Sequence, residues 1–186
     1  LVRRVILPAI ILLFIFATGL RAEELSEPIV EIKDGSIYVS SSLGLSEQGL
    51  EDLKNGISKE ITFYIDLFRV WPNWPDEFIF GKVITRTLRC DSVKGEFRAT
   101  SLEGDTLIEK RFKSCDSLRR WALSIPSFKL SSTTELEPNE RYFVRVTAES
   151  RLRRLPPVIG YMLFFIRERE FNISRDSVKF SPGGQR

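Results

Sequence analysis

Beyond its first two dozen residues the chain alternates apolar and polar positions with period two between turn residues, the pattern of half-buried strands. Ile29 to Lys33 alternates and meets Asp34-Gly35, a hairpin signal, and the alternation resumes with Ile37, Val39 and Ser41 against Tyr38, Ser40 and Ser42. Ser46 offers a helix N-cap, Gly49, Leu50 and Leu53 fall at roughly helical spacing, and Asn55-Gly56 closes a short helix. Ile57 to Val70 predicts a long strand, with Ile61, Phe63, Ile65 and Leu67 on one face and Thr62, Tyr64, Asp66 and Phe68 on the other. Prolines at 72 and 75 interrupt it, because proline cannot donate to a ladder.

The alternation returns from Phe78 to Cys90, and Glu96–Leu102 and Thr106–Lys113 read as the rest of a meander. Ser114 or Asp116 caps a second short helix, Ser117 to Ser124, which Pro126 ends. Arg141–Leu152, Val158–Ile166 and Phe171–Phe180 are the last extended segments. About nine strands and two short helices at this spacing predict a mainly β domain, an antiparallel β-sandwich of the immunoglobulin-like kind, over residues 23–181, with 182–186 a flexible tail.

The segment before this domain has a different pattern. Arg3-Arg4 precedes an apolar run from Val5 to Leu20, followed by Arg21-Ala22-Glu23-Glu24, the charged, apolar, polar order of a secretory leader helix. The run is short for a membrane span of ~20 residues. Two readings stand for residues 1–22, a cleaved signal peptide and an uncleaved membrane anchor. Both place the remainder outside the cytoplasm, in the periplasm, free or tethered to the inner membrane.

Export changes the meaning of the charge. The net charge of +3 lies wholly in the three arginines of the leader, so the remainder is neutral and does not argue for nucleic acid. Within that remainder, residues 23–81 carry −8 and residues 82–186 carry +8. Unless the fold interleaves these halves, the domain has an acidic and a basic end. The sequence contains no histidine, which excludes Ser-His-Asp and Cys-His nucleophilic sites and imidazole-dependent metal sites.

The order of these elements carries a resemblance. A leader, an early hairpin, a short helix ending in Gly56-Ile57 and a long strand running into the Trp71–Trp74 loop come first. A meander, a Ser117-Leu118 helix, the approach Leu136, Pro138, Tyr142, a Leu155-Pro156 pair and a closing strand with Asn172 and Ser174 follow. Over most of residues 27–181 the chain resembles the bacterial domain-of-unknown-function 4390 family, departing where Phe171 stands near an expected tryptophan. The resemblance implies a secreted or membrane-tethered bacterial domain and brings no active-site residues with it.

Three features have candidate chemistry. Cys90 and Cys115, the only cysteines, lie in an oxidising compartment if exported. Flat strands would hold their Cα atoms ~9–10 Å apart, beyond the ~7 Å limit of a bridge, so a disulfide and two separate thiols both remain open. Trp71 and Trp74 suit either an aromatic binding platform or a cap over an open end of the core. Arg151, Arg153 and Arg154 abut twelve uncharged residues, Leu155 to Ile166, that include Tyr161, Phe164 and Phe165 and end at Arg167. That stretch is too short to span a bilayer; it reads either as a strand buried on both faces or as an interface to an anionic membrane surface or a membrane protein.

No catalytic constellation, metal site, cofactor or small-molecule site is evident. The preferred function is a non-catalytic binding or accessory module of the bacterial envelope, using Trp71, Trp74, Arg151, Arg153, Arg154, Tyr161, Phe164, Phe165 and Arg167. The alternative is an envelope enzyme working with carboxylates or Ser/Lys chemistry.

Overall fold

The structure is a computed structural model and describes residues 22–91, 93–151 and 169–183. Its elements, in chain order, begin with β1 (Glu24–Leu25), β2 (Ile29–Lys33), β3 (Ser36–Gly44), α1 (Glu47–Lys54), β4 (Lys59–Arg69) and β5 (Glu77–Asp91). They continue with β6 (Glu96–Glu103), β7 (Thr106–Phe112), α2 (Cys115–Ala122), β8 (Ser124–Ser132), a 3-10 turn (Thr133–Glu135), β9 (Tyr142–Arg151) and β10 (Arg169–Asp176).

The strands form two antiparallel sheets, so the described residues are mainly β, with two helices. In the smaller sheet β3 is central, with β1 and β2 along one side and β8 on the other. The larger has the order β10-β9-β4-β5-β6-β7. One hydrophobic cluster is built from both: Ile37, Val39 and Leu43 of β3 and Ile125 and Leu130 of β8 join Ile61, Phe63, Ile65 and Leu67 of β4. The alternation predicted for β3 and β4 is thus met side chain by side chain. Each large apolar residue buried this way contributes ~1.5–3 kcal/mol.

Local chemistry explains the turns and caps. Asp34 and Gly35 both take left-handed backbone, φ 49° and 66°, as a two-residue turn between the paired Lys33 and Ser36 requires. Ser46 and Ser114 cap α1 and α2, accepting from the amides of Gly49 at 3.1 Å and Ser117 at 3.2 Å. Helix α2 therefore starts two residues before the predicted Ser117 and ends before Ser124.

Residues from Ser124 onward form β8, a strand the alternation did not predict. Pro126 reads as a breaker, yet among the described residues β8 pairs only with β3, and a proline is tolerated on an edge whose N–H side has no partner strand. The predicted strand ending at Phe180 stops at Asp176, leaving a single bridge from Phe180 to Tyr142. The predicted strand Val158–Ile166, the leader up to residue 21 and most of the tail lie outside the described residues.

The acidic and basic halves of the sequence are interleaved. Strand β4 from the acidic half lies between β5 and β9 from the basic half, and β8 from the basic half lies beside β3. Lys59 meets Glu170 and Arg69 meets Glu137 and Glu140 across that division, so among the described residues the two charges are not segregated into an acidic and a basic end.

Candidate functional site

The pairing of the large sheet divides the predicted site residues between its two ends. At one end Arg69 is opposite Glu77 and Tyr142; at the other Glu60 is opposite Arg151, which is opposite Arg169. The two ends are separated by the length of β4, ~33 Å for ten residue rises. The Trp71–Trp74 loop stands at the first end and the segment between β9 and β10 leaves from the second, so their points of attachment are at opposite ends of the sheet.

At the first end the indoles do not cap the core. Trp71 is 38% and Trp74 78% exposed, and neither joins the hydrophobic cluster. Trp71 lies against the Arg69 guanidinium, 4.5 Å from its ring, and donates from Nε1 to Glu77 at 3.1 Å. Arg69 itself is clamped by Glu137 at 3.1 Å and Glu140 at 3.2 Å. These polar contacts, with the prolines at 72 and 75, hold the loop along the sheet end and explain why the capping reading fails.

The second end is built on a buried ion triad. Lys59, the first residue of β4, is 1% exposed and meets Asp52 of α1 at 3.6 Å and Glu170 of β10. Ser150 donates to Glu170 at 2.9 Å and Gln48 to Asp52 at 3.0 Å. A buried lysine is tolerated only when paired in this way. Helix α1 also holds the start of the domain, because Ser46, its cap, donates to Glu23 at 2.7 Å. β1 in turn packs on the end of β3 that leads into α1, and against β10.

Two stretches of sequence therefore depart from this one end. Residues 1–21 precede β1, and residues 152–168 leave from Arg151 and return at its direct partner Arg169. Arg151 donates to Glu149 at 2.9 Å, and that bond raises its guanidinium pKa above the usual value. Arg153, Arg154, Tyr161, Phe164, Phe165 and Arg167 lie outside the described residues. The sequence did not point to Lys59, Asp52 and Glu170 as a unit. Its only sign was Lys59 on the apolar parity of β4.

Cys90 and Cys115 are joined by a disulfide with Cα atoms 5.6 Å apart. The flat-strand distance does not apply, because after β7 the chain turns into α2. That helix lies back across β5 and β6, bringing its first residue over Cys90. Among the described residues no three His, Cys, Asp or Glu side chains are placed to hold a metal ion. None of the described helices is long and apolar enough to cross a membrane.

No curated protein and no solved structure matches the chain. A family model described as a domain of unknown function (DUF4390) matches residues 22–179, from the residue before the acidic pair at β1 to just past the end of β10. The span takes in both sheets, both helices and the ion triad: the chain belongs to the domain of unknown function 4390 family.

Proposed function

We propose that the protein is an exported accessory module of the bacterial envelope that works at the membrane, with the Lys59 end of the domain turned toward the bilayer and residues 152–168 contacting the membrane surface or a membrane protein. In this reading the two sheets are the layers of an immunoglobulin-like sandwich that carries that end, and the module is non-catalytic. The observation that carries the proposal is the shared point of departure. The leader-like sequence of residues 1–21 and the basic and apolar sequence of residues 152–168 join the domain at the same end, tied by the contacts of Glu23, Ser46, Asp52, Lys59 and Glu170.

The chemistry fits an interface. Arginines meet anionic head groups, while an apolar run too short to span lies at the boundary between head groups and chains. The Trp71–Trp74 loop, ~33 Å away along β4, faces away from the bilayer in this arrangement.

The test is site-specific photo-crosslinking of the full chain in its native envelope, with the probe at Tyr161 or at Trp74. Adducts to lipid or to an integral membrane protein are expected from position 161 and not from position 74. Equal labelling from both positions, or labelling only from position 74, overturns the orientation.

A further inference from the structure

A groove of about 840 Å³ runs between the inner face of β5–β7, the C-terminal end of α2 and strand β8. Its volume is that of a small-molecule site. Ile108, Trp121, Ile125 and Phe128 give it apolar walls, and Lys82, Arg86, Lys110 and Lys129 face it against a single carboxylate, Glu103. Among the described residues none of these four cations is paired with a carboxylate.

Arg86 lies at the α2 end of the groove and is 4% exposed. Its Nη1 donates to the carbonyls of Trp121 at 2.8 Å, Ala122 at 3.1 Å and Ser124 at 2.5 Å, and its Nε to Ser101 Oγ at 3.4 Å. Nη2 has no hydrogen-bond partner among the described residues, and Arg86 lines the groove. Burial lowers the Arg86 pKa, with the Glu103 charge opposing it. Buried cations are ordinarily neutralised by a directly paired anion, and here Arg86 has carbonyl dipoles, the Ser101 hydroxyl and aromatic faces as its direct contacts, with the Glu103 carboxylate acting on it without an ion pair. The Trp121 ring holds both cations of this end, with Arg86 Cζ at 4.8 Å and Lys110 Nζ at 4.9 Å from its centroid.

The free edge of β8 is closed to a peptide strand. Pro126 has no N–H, Ser127 takes left-handed backbone at φ 43°, and Lys82 donates to the Lys129 carbonyl at 3.0 Å. A ligand must therefore be held by charge and apolar contact rather than by a backbone ladder. From Arg86 to Gly81 the floor runs ~17 Å along β5, long enough for an extended chain with its charge at the Arg86 end.

We propose that this groove binds single-chain anionic amphiphiles, with the carboxylate or phosphate head on Arg86 Nη2 and Lys110 and the chain on Ile108, Ile125 and Phe128. The full chain carrying W71F and W74F retains Trp121 as its only indole, so its fluorescence reports the head-group end in phosphatidylcholine nanodiscs. Octyl phosphate and octanoate are titrated against octanol, each on this chain and on further variants carrying K110E or K94E. Lys94 is an exposed lysine of the β5–β6 turn, and its variant controls for the charge change. Saturable binding of both anionic probes at least tenfold tighter than octanol is expected, weakened at least tenfold by K110E and unchanged by K94E. Equal affinity for octanol, insensitivity to K110E, an equal loss with K94E, or tighter binding of an acidic apolar peptide than of octyl phosphate overturns the proposal. R86Q is expected to abolish binding. K110E lies on an exposed position and keeps the test open should R86Q unfold.

Discussion

Lys59 shows how much a single buried charge depends on its partners. Its ammonium is out of water and stable only between Asp52 and Glu170, so Lys59→Met removes the cation that both of these carboxylates face. A loss of ~3–5 kcal/mol is expected in urea unfolding, the cost of breaking a buried pair from one side. Asp66 is the opposite case. It lies on the outer face of β4 over Gly81, where any side chain at 81 would collide with its carboxylate. Burial raises its pKa, with Arg145 opposing. For a carboxyl whose folded pKa is raised, the stabilising contribution is complete below the unfolded value of ~3.9 and is lost as pH rises through the folded value. Asp66→Asn is therefore expected to raise the melting temperature at pH 7 and to leave it unchanged at pH 3. Thermal scans of both chains at both pH values check the sign.

At the scale of elements, α2 is the piece most dependent on a covalent tie. Its eight residues are too few to hold a helix alone, and its docking rests on Leu118, Ala122, the Arg86 contacts and the disulfide from Cys115 to Cys90. Closing a loop of this length contributes ~3 kcal/mol in the chain-entropy account. The C90S/C115S chain is expected to lose about that much in urea unfolding. Reduction of the parent should bring it to the same midpoint, whereas a midpoint unmoved by reduction would show that packing alone holds α2.

These elements also show why the sequence was legible in some places and not in others. β4 was predicted because both its neighbours lie in one sheet and its faces differ, which writes period two into the residues. β8 was missed because an edge strand with one partner admits Pro126 and a left-handed Ser127, and these erase the alternation. The disulfide was undecided because it depends on where α2 folds back, which strand spacing does not contain. The Arg86 groove was not read at all, since it is assembled from four strands and a helix whose packing in space the spacing along the chain does not contain.

For the molecule as a whole, the direct pairing of Arg151 with Arg169 makes the β9–β10 hairpin complete without the residues between them. Replacing 152–168 by an Asn-Gly turn, the two-residue connection that suits paired strand ends, is expected to leave the melting temperature within ~4 °C of the parent, a change of about 1 kcal/mol or less. The same chain should lose the crosslinks obtained from that segment. Unfolding of the shortened chain would mean that residues 152–168 belong to the core and not to an interface.

By itself the sequence determined the mainly β class, the Asp34-Gly35 hairpin, the cap at Ser46, and the family, because each of these is written in local spacing or residue type. Tertiary structure decided the rest. It interleaved the −8 and +8 halves, placed Trp71 and Arg151 at opposite ends of β4, joined Cys90 to Cys115, and brought Asp52, Lys59 and Glu170 together. The physical reason is common to all of these: they depend on which strands become neighbours, and period-two alternation says which face of a strand is buried but not which strand lies beside it.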